Sequence, residues 1–228
     1  MEIPIQSHLL CVSKVPIFNH LTNEELQEIS SVIHHVHFKK GEVIYLSEDA
    51  PEQLFVVHKG KVKLYRMSES GREQLLHVLE SGEFMGETSL FSKKPLTHNA
   101  EALEATDICL IHRKELETFL VKYPSIAMKI IEAYSQRIEQ LEELIEQMGL
   151  QDSEQRVASI LLHLKPTHSS TIHLSFSKRD LASLIGTTQE TLSRKLASFQ
   201  QNGWIELKGQ REIRILSEEH LHDIVSKK

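Results

Sequence analysis

The sequence predicts an α+β protein in which an N-terminal β-roll (a double-stranded β-helix) precedes a long helix and a C-terminal winged helix-turn-helix. Three observations predict this fold class: short strand-like runs separated by glycines, a heptad pattern over residues 127–148, and a capped pair of helices near the C-terminus. They divide the chain into a roll over 1–122, a long helix over 123–149 and a third domain over 150–228.

The composition excludes several classes of protein. The 228 residues are 40% hydrophobic and 25% charged, as in ordinary globular domains. No apolar run approaches the roughly 20 residues that span a bilayer, and the N-terminus lacks a signal-peptide pattern, so we expect a cytoplasmic protein without a membrane partner. The net charge of −6 divides into +2 for residues 151–228, which hold 11 Lys and Arg against 9 Asp and Glu, and −8 for the rest. A basic C-terminal part is compatible with binding to a phosphate backbone.

Short strands dominate the first part of the chain. Four apolar or alternating runs predict them, at 54–57, 62–65, 75–79 and 108–111. Glycines separate the runs, at Gly41, Gly60, Gly71, Gly82 and Gly86. Because glycine adopts positive φ in tight turns, this spacing predicts hairpins that close a small roll. Ahead of the strands, Thr22 followed by Glu24 and Glu25 predicts the start of a short helix.

The long helix carries apolar residues at alternating spacings of four and three, at Ala127, Ile131, Tyr134, Ile138, Leu141, Ile145 and Met148. This heptad seam ends at Gly149, which we expect to cap the helix. An unbroken 3.5-residue period favours a parallel two-stranded dimer through residues 127–148. A helix packed only on its own domain is the alternative.

Two consecutive helices near the C-terminus predict a DNA-binding motif. The first runs from Ser177 to Gly186, and the second follows the Thr187–Thr188 turn and runs over 189–199. Their expected contacts are apolar: Leu181, Ala182, Ile185, Leu192, Leu196 and Phe199. The exposed face of the second helix presents Gln, Glu, Ser and Arg side chains, which are the types that bind base edges. The predicted DNA contacts are Lys178, Arg179, Thr188, Gln189, Glu190, Ser193, Arg194 and Lys208.

A two-stranded wing is expected after the helical pair. Residues 203–207 and 213–215 predict its strands, which turn near Lys208 and Gly209. Together with the helices they predict a winged helix-turn-helix. A helical hairpin that serves only as a packing module is the alternative.

Histidines crowd the start of the roll, at His34, His35 and His37. His35 and His37 share one face of a strand and could meet a metal, but no acidic or cysteine partner is spaced to complete a site. A surface strand without metal is therefore expected. The sequence also lacks a Walker loop, a GxSxG elbow, an HExxH motif and paired carboxylates in a cleft context, so it predicts no catalytic residue and no enzyme.

From about Val15 to Leu221 the chain resembles the Crp/Fnr transcription regulators. The glycine pattern, the segment GETSLF at 86–91 and the segment TQETLSR at 188–194 carry the resemblance. It implies a cyclic-nucleotide-binding-like roll, a homodimer through the long helix, and double-stranded DNA and RNA polymerase as partners.

The second helix of the motif distinguishes branches of that family. The cAMP-receptor type carries Arg and Gly where this chain has Gln189 and Ser193. Glu190, Ser193 and Arg194 instead resemble the E-x-x-S-R pattern of the FNR branch. This resemblance implies operators similar to TTGAT-N4-ATCAA, with half-sites about one helical turn apart.

The roll departs from the family's cyclic-nucleotide pattern. Gly86 and Glu87 match its Gly-Glu pair, but Thr97 and His98 occupy the positions of the Arg-Ser pair that holds the phosphate. Without the guanidinium the bidentate phosphate partner is lost, so no cAMP binding is expected. These four residues remain the candidate effector pocket, although Gly86 and Glu87 also fit a structural role in the roll.

The two cysteines of the chain, Cys11 and Cys109, leave two interpretations open. Residues 102–109 resemble the FNR segment that holds a cluster-ligating cysteine, but a 4Fe-4S cluster needs four ligands, so no cofactor is expected. The chain resembles the two-cysteine FNR-like proteins called Flp, which implies a redox pair formed by Cys11 and Cys109. Two reduced, idle thiols are the other interpretation. A small effector other than cAMP, or no effector, also stays open.

Overall fold

A computed structural model describes residues 13, 15–69, 71, 73–92 and 94–226. The chain forms two compact units. The first contains the residues up to Met67 together with Leu76–Ile138, and the second contains Ser68–Leu75 together with Glu139–Lys228. The domain limits expected from the sequence, after residues 122 and 149, stay predictions.

Helices and strands alternate along the chain as follows. The helices are α1 (Asn23–Ser30), α2 (Glu87–Ser92), α3 (Arg113–Lys122), α4 (Pro124–Leu150), α5 (Ser153–Leu164), α6 (Lys178–Leu184), α7 (Gln189–Gln201) and α8 (Glu218–Ser226). The strands are β1 (His34–Phe38), β2 (Val43–Tyr45), β3 (Gln53–Lys59), β4 (Val62–Met67), β5 (Glu73–Leu79), β6 (Phe84–Met85), β7 (Asn99–Ala102), β8 (Thr106–His112), β9 (Thr171–His173), β10 (Ile205–Lys208) and β11 (Glu212–Ile215).

Two four-stranded sheets build the predicted roll. One has the strand order β1-β8-β3-β6 and the other β2-β7-β4-β5. Buried side chains from both sheets form one core, which contains Tyr45, Phe55, Val57, Val62, Leu64, Leu79, Met85, Ala100 and Ile108. The four predicted strands are confirmed as β3, β4, β5 and β8.

Helices cover the outer face of the first sheet. Because side chains alternate along a strand, Cys109 and Ile111 of β8 point into a second core, away from the first. Ile126 and Ile130 of α4 are buried in this second core. The predicted start of α1 is confirmed, since Thr22 forms a capping box in which its N–H donates to the Glu25 carboxylate at 2.7 Å.

The expected end of α4 at Gly149 is wrong, because the helix continues to Leu150. The break that follows is set by Asp152, whose carboxylate accepts hydrogen bonds from the N–H groups of Glu154 (2.7 Å) and Gln155 (2.9 Å). A strong N-cap of α5 therefore ends the long helix without a glycine cap.

The second unit contains the predicted helical pair and wing. The wing strands β10 and β11 pair antiparallel and are confirmed, and β9, which the sequence did not predict, adds a third strand beside β11. Among the described residues, no helix is long and apolar enough to cross a membrane.

Candidate DNA-binding helix and roll interior

The turn between α6 and α7 is closed by a glycine in the left-handed region. Gly186 has φ +63°, the Thr187 N–H donates to the Ala182 carbonyl (2.9 Å), and the Gly186 N–H donates to Ser183 (3.1 Å). These are the two bonds of a Schellman ending. Two residues later, Thr188 starts α7 as its N-cap and accepts a hydrogen bond from the Thr191 N–H at 3.2 Å.

The two sides of α7 differ sharply in exposure. Leu192, Leu196 and Phe199 are buried, as are the predicted contacts on α6 and its C-cap, Leu181, Ala182 and Ile185. Glu190, Ser193 and Arg194 are exposed on the opposite side. Because positions three and four apart share a helix face, these three side chains form one accessible row.

The remaining predicted DNA contacts lie on three elements of the same unit. Thr188 and Gln189 are exposed at the start of α7, Arg179 is exposed on α6, and Lys178 is half-buried. Lys208 is exposed on the wing, where its Nζ lies 3.7 Å from the Glu206 carboxylate.

Sequence reasoning missed three arginines beside this motif. Arg156 of α5 donates to the carbonyls of the α6–α7 turn, at 3.0 Å to Ile185 and 3.4 Å to Gly186. Arg211 and Arg214 lie exposed on the wing. The two wing arginines could have been found from their place around the predicted wing turn, but nothing local to Arg156 points to the turn.

In the roll, the candidate effector residues differ in burial and in their hydrogen-bond partners. Glu87 is buried and its carboxylate lies 3.6 Å from the Arg137 guanidinium of α4. His98 is half-buried and shares a 2.8 Å hydrogen bond with the Tyr45 hydroxyl. Thr97 is exposed instead and accepts two 3.0 Å hydrogen bonds from Arg66.

Burial shifts the titration of the interior groups. It lowers the pKa of His98 to about 4, and the positive charges of Arg137 and Arg66 add to the effect. Burial also raises the pKa of Glu87, although Arg137 opposes the shift. The Oε2 atom of Glu87 has no hydrogen-bond partner within the described part of the chain. The roll therefore holds a neutral imidazole and a carboxylate with an unused acceptor.

Gly86 has a packing role of its own. Its φ is +90°, and a Cβ there would lie 2.7 Å from the Gln53 carbonyl oxygen and 2.8 Å from the Phe55 ring. Real Cβ atoms do not approach other heavy atoms so closely, so only glycine fits. This geometry agrees with the structural role expected for Gly86.

Cys109 is 1% exposed, and its Sγ lies 3.6 Å from Nδ1 of His35. Its predicted partner, Cys11, lies outside the described residues. His37 contacts the Asp107 carboxylate at 2.7 Å. In the described part of the chain, no group of three His, Cys, Asp or Glu side chains is placed to hold a metal.

One face of α4 carries exposed apolar side chains. Met128, Ile131, Ile138 and Leu141 are 58%, 55%, 54% and 47% exposed. Tyr134 departs from the expected seam, because its ring packs 6.0 Å from the Phe84 ring in its own unit. The exposed stripe thus keeps heptad spacing, from Ile131 to Ile138 and from Ile138 to Leu141, without Tyr134.

Family models match both parts of the chain. Residues 35–123 match the "Cyclic nucleotide-binding domain" and residues 155–224 match the "Crp-like helix-turn-helix domain". Together they cover most of the roll and all of the helical pair and wing.

Whole-chain relatives agree with the two family models. A "Probable transcriptional regulator flp" of Lacticaseibacillus casei is 30% identical, over 93% of this chain and 97% of that protein. The "Cyclic AMP receptor protein" of Thermus thermophilus is 28% identical, over 84% of this chain and 88% of its own. The structure of FixK2 from Bradyrhizobium japonicum superposes with a TM-score of 0.75 and 26% identity, covering 86% of this chain and 99% of that one.

Proposed function

Since this chain belongs to the Crp/Fnr family of DNA-binding transcription regulators and is not an enzyme, we propose that it binds TTGAT-N4-ATCAA-like palindromes as a homodimer. The observation that carries the proposal is the row formed by Glu190, Ser193 and Arg194 on the accessible side of α7. The proposed partners are double-stranded DNA and RNA polymerase, and the proposed site of action is the bacterial cytoplasm, where both are found.

The chemistry of the row suits the G·C pair of each half-site. Arg194 can donate two hydrogen bonds to O6 and N7 of guanine, and Glu190 can accept one from N4 of the paired cytosine. Ser193, between them in the sequence, can donate to or accept from a neighbouring base. The wing residue Lys208 and the wing arginines are suited to the phosphate backbone, where their contacts position the motif without selecting a sequence.

A palindrome needs two copies of the reading helix, and the exposed stripe of α4 supports a homodimer. An isolated surface helix rarely exposes three large apolar side chains at heptad spacing, with a fourth, Met128, beside them. A second copy of the same helix, parallel to the first, would bury them in a coiled-coil seam. Such a dimer places two motifs about one helical turn of DNA apart.

A gel-shift experiment tests the operator. Labelled duplexes of about 30 base pairs would carry the palindrome, the same palindrome with TTGAT changed to GTGAT, one with each G·C pair replaced by A·T, and a shuffled sequence. We expect each altered duplex to bind at least about fivefold more weakly, since a wrong base pair costs about 1–3 kcal/mol. The variant Arg194→Met should lose most of the preference for the palindrome over its A·T version, and the preference that remains should come from Glu190. Equal affinity of the unaltered protein for all four duplexes would contradict the proposal.

A redox signal through Cys11 and Cys109 is the first candidate for regulation. Hydrogen peroxide would oxidise the two thiols to a disulfide with formation of water, and the His35 imidazole beside Cys109 can take up the thiol proton. Thiol counting on the denatured protein, before and after oxidant, tests it. We expect two free thiols to fall to none within a single chain. Two free thiols after oxidation would contradict it, and Cys11→Ser provides the one-thiol control.

An effector in the roll is the second candidate, and the unused acceptor of Glu87 favours it. A hydroxyl donor on a small molecule would complete the hydrogen bonding of this carboxylate. Because Thr97 and His98 carry no guanidinium and Thr97 already engages Arg66, the effector we propose is a molecule other than cAMP. Calorimetric titration with cAMP should therefore give no binding heat, and a saturable heat that is absent in Glu87→Gln would contradict this.

A further inference from the structure

The carbonyls at the α6–α7 turn accept hydrogen bonds from a donor outside the motif. The Schellman bonds engage the carbonyls of Ala182 and Ser183, but the carbonyls of Ile185 and Gly186 lie beyond the last helical turn, at the negative end of the α6 dipole. The Arg156 guanidinium, which comes from α5, donates to both of them. A charged donor at a helix C-terminus is favourable for both hydrogen bonding and the dipole.

We propose that Arg156 is a positioning residue for DNA recognition, which holds the turn so that α7 presents its base-reading row at the correct angle. The inference rests on the DNA-binding function proposed above. Gly186 lies two residues before Thr188, the N-cap of α7, so any movement of the turn changes the direction of that helix. Arg194 lies about 9 Å along α7 from its N-cap, so a tilt of about 10° displaces its backbone by about 1.5 Å. That displacement is enough to break a hydrogen bond to a base edge.

The positioning role of Arg156 differs from a contribution to folding stability, and the burial of its Nε is the reason. Its Nε is buried and has no hydrogen-bond partner among the residues that the structure describes. A buried donor without a partner destabilises the folded state, so an apolar side chain of similar length would be tolerated at this position. We therefore expect the loss of Arg156 to change DNA recognition more than folding.

A second contact joins α7 to the first helical turn of α5, which also contains Arg156. The Lys195 ammonium of α7 hydrogen bonds to the Glu154 carboxylate, two residues before Arg156. The capping box of Asp152 fixes the backbone of that turn, because its side chain and that of Gln155 satisfy each other's backbone N–H groups. The first helical turn of α5 therefore contacts the α6–α7 turn through Arg156 and helix α7 through Glu154.

The test measures the affinity of the full chain for the operator duplex and, in parallel, its affinity for the shuffled duplex. The variants are Arg156→Met, which keeps the apolar stem without donors, and Arg156→Lys, which restores one charged donor. Lys165→Gln is the matched control, because it removes an ion pair with Glu218 (3.3 Å) at the opposite end of α5. We expect Arg156→Met to weaken operator binding about tenfold, the equivalent of one charged hydrogen bond, and to leave shuffled-duplex binding and the unfolding midpoint unchanged. Arg156→Lys should recover most of the operator affinity.

A double-variant cycle shows whether Arg156 acts through the reading row. In an Arg194→Met background, Arg156→Met should cause little further loss of operator binding, because the side chain that it positions is absent. Unchanged operator affinity in Arg156→Met, equal weakening on both duplexes, or an equal loss in Lys165→Gln would each overturn the inference. If the unaltered protein fails to distinguish operator from shuffled DNA, the proposed function itself fails, and the positioning role fails with it.

Discussion

Truncating the exposed stripe of α4 should dissociate the proposed dimer. Ile131 and Ile138 are 55% and 54% exposed, so about half of each side chain remains for a second copy to bury. Full burial of an isoleucine side chain is worth about 1.5–3 kcal/mol, so the remaining half contributes about 1 kcal/mol at each position. A symmetric dimer counts both positions twice, and the double variant Ile131→Ala, Ile138→Ala loses about 4 kcal/mol of association free energy. The dimer Kd should then rise roughly a thousandfold.

Sedimentation equilibrium over a range of concentrations measures this change. We expect a dimer for the unaltered chain at micromolar concentration and a monomer for the double variant. Val121→Ala is the matched control, because Val121 is an 84% exposed residue of α3 and lies off the stripe. A monomeric unaltered chain at working concentrations, or equal dissociation of the double variant and the control, would contradict the proposed dimer.

Three further outcomes follow from the roll. Gly86→Ala should lower the unfolding midpoint clearly more than Gly41→Ala. Both glycines have positive φ, but only a Cβ at Gly86 meets other atoms. Equal effects of the two substitutions would show that the loss of stability comes from the positive φ alone. As the pH falls from 6.5, the ordinary pKa of His98, toward its folded value of about 4, the unfolded state binds the proton more readily, so the free energy of unfolding should fall. Urea denaturation across this range should show a shallower slope for His98→Gln. In Cys11→Ser, the Cys109 thiol, which is 1% exposed, should react with Ellman's reagent only after denaturation, and rapid reaction of the folded protein would contradict its burial.

The helical pair was predictable because each of its signals is local. A capping serine at Ser177, a glycine two residues beyond the last residue of α6 and apolar positions at helical spacing all act within one or two turns of the chain. The strands of the roll were predictable for the same reason, since their apolar runs and glycines lie side by side in the sequence. In both cases the neighbours that determine the structure are also neighbours in the chain.

Errors arose where two influences compete for the same residue. Gly149 fits a helix cap by composition, but the capping box of Asp152 determines where the break occurs. Tyr134 fits the heptad seam by spacing, yet its ring reaches Phe84 and packs in its own unit. The three-residue strand β9 has too few residues to show a period, and only its pairing with β11 defines it.

The interior of the roll was beyond sequence reasoning because its charges come from distant elements. The expectation of no cAMP binding relied on the missing Arg-Ser pair, yet two arginines lie in this region: Arg137 pairs with Glu87, and Arg66 binds Thr97. Positive charge is therefore present, and its absence cannot be the reason for excluding the nucleotide. The geometry supplies a better one. Arg66 already donates from Nε to the Thr97 carbonyl and from Nη2 to the Thr97 hydroxyl. These two nitrogens belong to the planar fork of donors that a bidentate phosphate contact requires. A phosphate would have to displace both Arg66–Thr97 hydrogen bonds. Thr97→Ala removes one of them, the bond to the hydroxyl. This substitution should therefore make Arg66 more available to a phosphate than any substitution of His98 would.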